Sequence, residues 1–231
     1  MATSRQTTAG DVLVYIPNII GYLRVTLTLT SIVLMICSPA YWIIAITCYV
    51  ASFVGDLFDG MAARKYNQCS TFGGLIDMVT DRCSTAGLLC VLSREYSEEP
   101  ALVLLFTMLI ILDISSHWCQ MYSTTSLQQH HKSADGNKGR FFLVRWYYMS
   151  YPFFGYCCVG AEFTYVALYI LARVNVNSTK ETEFYGIVKM GVEYFLMISG
   201  PACAVKQVVN VSQLCSSCYA VAEQDAKLKN K

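Results

Sequence analysis

The chain has 231 residues, 55% of them hydrophobic, with a mean hydropathy of +0.41 and a formal net charge of +1. That apolar content is typical of a polytopic membrane protein, and a charge so near neutrality excludes the basic footprint of a nucleic-acid binder. The eleven cysteines do not describe a disulfide framework. Most, from Cys37 and Cys48 to Cys203, fall inside apolar stretches, where cysteine behaves as a small apolar side chain.

Residues 1–11 are polar and lack the apolar core of a signal peptide. Residues 11–17, Asp-Val-Leu-Val-Tyr-Ile-Pro, form a short amphipathic segment suited to the membrane interface. Pro17 fits a helix start, and Asn18 follows it. Six apolar spans come next, at about 19–37, 41–58, 75–92, 101–120, 149–172 and 185–208. The expected fold is therefore an all-α polytopic membrane protein, with six transmembrane helices preceded by a short interfacial helix. It forms a single domain, 1–231, ending in a polar tail at about 212–231.

Arg24 lies in the first span, either snorkelling to the headgroups or contacting a phosphate. The second and third spans carry Asp56 and Asp59, spaced i,i+3, and Asp77 and Asp81, spaced i,i+4, so each pair shares a helix face. Residues 65–72 suffice for a tight reversal, which makes the two helices antiparallel neighbours with their acids at similar depth. An aspartate at mid-bilayer costs roughly 2.5–3.5 kcal/mol, so intramembrane acids are candidates for function. Four together need countercharge, which two divalent cations supply. Carboxylate oxygens suit a hard ion, Mg²⁺ or Mn²⁺.

The fourth span ends in Leu-Asp-Ile-Ser-Ser-His-Trp, placing Asp113 and His117 at i,i+4, either as a hydrogen-bonded pair or as metal ligands. A polar loop with His130 and His131 leads to Arg145 and the aromatic run Trp146-Tyr147-Tyr148. Arg145 is a topology charge or faces the polar substrate. Gly200-Pro201 is expected to kink the sixth span. Lys and Arg are concentrated on the side of the termini and aspartates, which the positive-inside rule makes cytosolic. The sequon Asn177-Ser178-Thr179 falls in a loop on the other side. Cys215 and Cys218 lack the second pair or the context of a zinc or redox motif.

The spacing D-x2-D-G-x2-A-R-x8-G-x3-D-x3-D is filled by Asp56, Asp59, Gly60, Ala63, Arg64, Gly73, Asp77 and Asp81. It resembles the signature of the CDP-alcohol phosphatidyltransferases at every fixed position. The resemblance implies transfer of the phosphatidyl group of CDP-diacylglycerol to an alcohol with release of CMP. It implies a two-ion site on Asp56, Asp59, Asp77 and Asp81, with Asp81 as general base. It also implies donor contacts at Gly60, Arg64, Ser70 and Asn18, and a homodimer. The stretches 14–24, 67–68, 77–85, 112–118 and 144–148 resemble most closely the eukaryotic members that use myo-inositol, which implies a membrane of the endoplasmic reticulum or, alternatively, the Golgi. In that case Asp113, His117 and Arg145 are candidate inositol contacts. Glycerol 3-phosphate or serine as acceptor, and a divalent-cation transporter, are the alternatives.

Overall fold

A computed structural model describes residues 7–126, 149–177 and 183–230. Seven α-helices are described: α1 (Ala9–Leu13), α2 (Ile16–Cys37), α3 (Trp42–Lys65), α4 (Thr71–Glu95), α5 (Pro100–Ser126), α6 (Tyr151–Asn177) and α7 (Glu183–Lys229). A 3₁₀ turn, Pro39–Tyr41, joins α2 to α3. No strand occurs among the described residues. The chain divides into two compact units, Met1–Val91 and Leu92–Lys231.

In the first unit α1 is set by a capping box: Thr8 accepts from the Asp11 amide, and the Asp11 carboxylate accepts from the Thr8 backbone amide and hydroxyl. These bonds, the hydroxyl's above all, hold the Asp11 carboxyl below the usual carboxylate range. α2 and α3 pack against each other through a polar seam. The Ser52 hydroxyl donates to the Arg24 carbonyl at 2.9 Å and lies 2.8 Å from the Thr28 hydroxyl, while Ser31 donates to the Ala45 carbonyl at 2.7 Å. Small hydroxyl residues let two helices approach closely in an apolar medium.

The reversal after α3 is a Schellman turn. Asn67 takes a left-handed conformation, φ 52°, which asparagine tolerates better than most residues. Its amide donates to the Arg64 carbonyl, and the Gln68 amide donates to the Ala63 carbonyl. The Gln68 side chain then reaches back to accept from the Ile16 amide at 2.9 Å, so the reversal loop also caps α2. Ser70 starts α4 by accepting from the Gly73 amide at 3.0 Å.

Among the described residues, five segments are long and apolar enough to cross a membrane: Ile16–Cys37, Pro39–Lys65, Pro100–Thr125, Pro152–Val176 and Tyr185–Lys229. This makes the chain an integral membrane protein. The six expected spans therefore become five by this criterion, and the difference is α4. Its 25 residues reach about 37 Å at 1.5 Å per residue, which is long enough. Asp77, Asp81, Arg82, Arg94 and Glu95 make it too polar.

In the second unit α7 packs along both α5 and α6. It runs without a break for 47 residues, through Pro201 to Lys229. That is about 70 Å, against a hydrocarbon core of about 30 Å. The expected polar tail is thus mostly helix. Its first turns bury polar residues: Gln213, Ser216 and Ser217 are buried, and Ser217 donates to the Gln120 side chain at 2.8 Å, while Glu223, Asp225, Lys227 and Lys229 further along are exposed. Between α6 and α7, Gln207 donates to the Tyr165 hydroxyl; within α7, Lys206 donates to Asn210 at 2.9 Å. Arg173 pairs with Glu95, and its guanidinium lies over the Tyr169 ring. All eleven cysteines are free thiols, as their placement in apolar stretches suggests.

Candidate active site

The i,i+3 and i,i+4 spacings turn both aspartate pairs toward one another. One carboxylate oxygen from each of Asp56, Asp59 and Asp77 lies within 4.8 Å of the others. Two of the three come from α3 and the third from α4. Three hard, anionic oxygens at that spacing fit a divalent ion that prefers oxygen ligands. Asp81 is one helical turn along α4 from Asp77, outside that trio, with about a third of its side chain exposed.

The fifth member of the cluster is Arg24, from α2. Its side chain is 2% exposed. Nη1 is 3.1 Å from Asp56 Oδ1, 2.5 Å from Asp59 Oδ2 and 3.0 Å from Asp77 Oδ1, and Nη2 is 2.6 Å from Asp81 Oδ1. Nε donates to the Ser52 carbonyl at 3.2 Å. Arg24 therefore turns into the cleft instead of snorkelling, and bridges all four acids. The planar fork of a guanidinium can serve several carboxylates at once, which an ammonium does less well. The signal for this was present in the sequence. Four acids need countercharge, and Arg24 is the one basic residue within the first span. Gly55 makes the approach possible, since a Cβ there would stand 2.8 Å from Arg24 Cγ.

The residues expected to touch the donor fall into two groups in the same unit. Asn18, Ser70 and Gly73 meet at the start of α4: a Cβ on Gly73 would lie 3.0 Å from Asn18 Oδ1 and 3.2 Å from Ser70 Oγ. Asn18 is 1% exposed, and its Nδ2 donates to the Val12 carbonyl, whereas its Oδ1 finds no partner among the described residues. Gly60 and Arg64 form the second group, with the Arg64 guanidinium 3.6 Å from where a Gly60 Cβ would be. Arg64 and Lys65 border an open cleft of about 600 Å³ whose other walls include Ile16, Ile20, Phe58 and Met61. A cleft with cationic and apolar walls suits a ligand that is itself anionic at one end and apolar at the other.

Asp113 and His117 belong to the second unit. They meet on α5, where His117 Nδ1 donates to the Asp113 carbonyl at 2.8 Å and lies 3.5 Å from Asp113 Oδ1. Asp113 is buried. The arrangement is the hydrogen-bonded pair that the i,i+4 spacing allows. Arg145 and the two loop histidines, His130 and His131, lie outside the described residues.

A carboxylate cleft shared by two helices of a membrane protein, beside a cationic and apolar groove, is the setting expected for chemistry on a phospholipid. The profile of the CDP-alcohol phosphatidyltransferases matches residues 14–171, and the chain belongs to that family. Within it, the chain is 40% identical to a protein of Arabidopsis thaliana named as a probable CDP-diacylglycerol–inositol 3-phosphatidyltransferase, over 93% of this chain and 92% of the relative. The Saccharomyces cerevisiae CDP-diacylglycerol–inositol 3-phosphatidyltransferase is 35% identical, covering 100% of this chain and 96% of the relative. The Homo sapiens protein of the same name is 33% identical, covering 94% and 95%. No solved structure matches significantly.

Proposed function

We propose that this protein transfers the phosphatidyl group of CDP-diacylglycerol to myo-inositol, giving phosphatidylinositol and CMP. Relatives that align over nearly the whole chain carry that activity in their names, and the convergence of Asp56, Asp59, Asp77 and Asp81 in one cleft is the observation that carries the reading. Asp56, Asp59 and Asp77 would hold one divalent ion, Mg²⁺ or Mn²⁺, and Asp81 would share a second. Such ions neutralise charge on a phosphoryl group and its leaving group.

The chain's own residues do the rest. Arg64 pairs with the donor's phosphates, and Gly60 leaves space for the nucleotide beside α3. The orphan Asn18 Oδ1 accepts from a hydroxyl or amino group of the CDP moiety, next to Ser70. An inositol oxygen attacks the phosphatidyl phosphorus as the bond to the CMP oxygen breaks. The hydroxyl proton passes to the Asp81 carboxylate, which lies at the edge of the trio and is open enough to meet the acceptor. The donor's acyl chains stay in lipid and lie along the apolar walls of the Arg64 cleft, while inositol enters from water. Asp113, His117 and Arg145 are proposed as inositol contacts, since a neutral polyol is held by hydrogen-bonding groups.

In this reading α4 is a sixth span, its acids compensated within the cleft, and α1 lies at the interface. The cleft opens to the cytosol from the membrane of the endoplasmic reticulum, and the protein is a homodimer. The test is purified protein in nanodiscs containing CDP-diacylglycerol, with CMP release and lipid product followed for each acceptor. Phosphatidylinositol is expected with myo-inositol. Turnover with glycerol 3-phosphate or serine but none with inositol refutes the assignment, and metal flux without nucleotide dependence refutes the enzyme class.

A further inference from the structure

Arg24 Nη1 lies within 3.1 Å of oxygens of Asp56, Asp59 and Asp77. Those three carboxylates are the ones whose oxygens cluster within 4.8 Å. An ion bound by this trio needs the volume that the guanidinium fills. We propose that Arg24 is a built-in counter-cation that closes the aspartate cleft and must withdraw for a divalent ion to enter. The inference rests on reading the cleft as a metal site, as above.

Charge and space both support it. Four carboxylates and one guanidinium leave three net negative charges in an apolar surround, whereas two divalent ions balance the four acids. The cleft is thus held together by Arg24, yet remains attractive to a stronger cation. The route is built for a long side chain to lie in. Gly55 leaves the notch against which Arg24 Cγ and Cδ pack, and a Cβ there would be 2.8 and 3.3 Å from them. The Ser52 carbonyl holds Nε at the neck. Withdrawal needs only side-chain rotation, because the backbone of α2 is separately tied to Ser52 through the Arg24 carbonyl.

A site that is competent only when Arg24 is out binds its ion with an affinity reduced by the competent fraction. The experiment titrates the EDTA-stripped full-length protein with Mn²⁺ alone, following the free ion by electron paramagnetic resonance and the melting temperature in parallel. Neither lipid donor nor inositol is added, so failure of the inositol assignment leaves this result unaffected. Arg24→Met is expected to bind Mn²⁺ at least tenfold more tightly than wild type, the change expected if Arg24 fills the cleft about nine-tenths of the time. It is also expected to melt lower than wild type when stripped and to gain more from Mn²⁺. Gly55→Ala, which shifts the Arg24 stem without removing charge, is expected to tighten binding in the same direction by a smaller factor. If Arg24→Met cannot be recovered even in Mg²⁺, Gly55→Ala decides alone. Unchanged or weaker Mn²⁺ binding in the deciding variant makes Arg24 a scaffold for the carboxylates and overturns the proposal, as does wild-type protein that binds no Mn²⁺.

Discussion

Replacing Asp81 by asparagine tests proton transfer while leaving the Asp56–Asp59–Asp77 trio and the proposed donor contacts in place. The change is nearly isosteric and removes one negative charge. Asp56, Asp59 and Asp77 keep the oxygens that cluster within 4.8 Å. Arg24 Nη2, now 2.6 Å from Asp81 Oδ1, can still donate to the amide oxygen, so the cleft should fold. What is lost is the base, together with one charged ligand of the proposed second ion. A positioned general base contributes about 10²–10⁴-fold, or about 3–5.5 kcal/mol of barrier at 1.36 kcal/mol per decade. The expected result is a kcat lowered by at least about 10² at saturating donor, inositol and Mg²⁺, with CDP-diacylglycerol affinity within a few-fold of wild type. Asp59→Asn is the comparator. Asp59 sits inside the trio, its side chain is only 12% exposed, and its loss should weaken Mn²⁺ binding as well as turnover. Steady-state kinetics and Mn²⁺ titration on the two variants make the comparison. Asp81→Asn with normal turnover at saturation and weakened donor binding alone would contradict the base assignment.

Two further outcomes test the surrounding structure. Chelation with EDTA should abolish turnover, and Mg²⁺ or Mn²⁺ should restore it, because the ligand set is all carboxylate; full activity in EDTA refutes the metal reading. Gln68→Ala removes the acceptor that caps the Ile16 amide. It should cost about 1 kcal/mol, a typical cap loss, or roughly 2–4 °C in melting temperature for a chain of this size. An unchanged melting temperature means that water replaces the cap.

Most of the aspartate cleft was legible in one dimension. A helix repeats every 3.6 residues, so the spacings of Asp56 with Asp59 and of Asp77 with Asp81 set a shared face before any packing is known. The short reversal at 65–72 then forces α3 and α4 to return side by side. The left-handed residue of that reversal, Asn67, was singled out only by the structure. Apolar run lengths located the helices to within a turn or two, apart from the ends of α3 and α7.

Helix α7 runs on past the expected span, and Ser217 in its polar stretch has a partner in α5. Whether Ser217 meets water or Gln120 depends on a residue 97 positions away, and no local pattern carries that information. The same limit applies to α4, whose apolar content falls short of a span and whose acids are compensated by a residue on α2.

Arg24 shows the division most sharply. Its position along the first span was plain, and so was the need for countercharge among four acids. Its destination was not, because a long flexible side chain can reach either a headgroup or a cleft from the same Cα. The choice was made by Gly55 and Ser52 on the neighbouring helix, which open the notch and anchor Nε. Periodicity along the chain is a local property of the backbone, whereas the partner of a buried charge is set by which helices come to lie beside it.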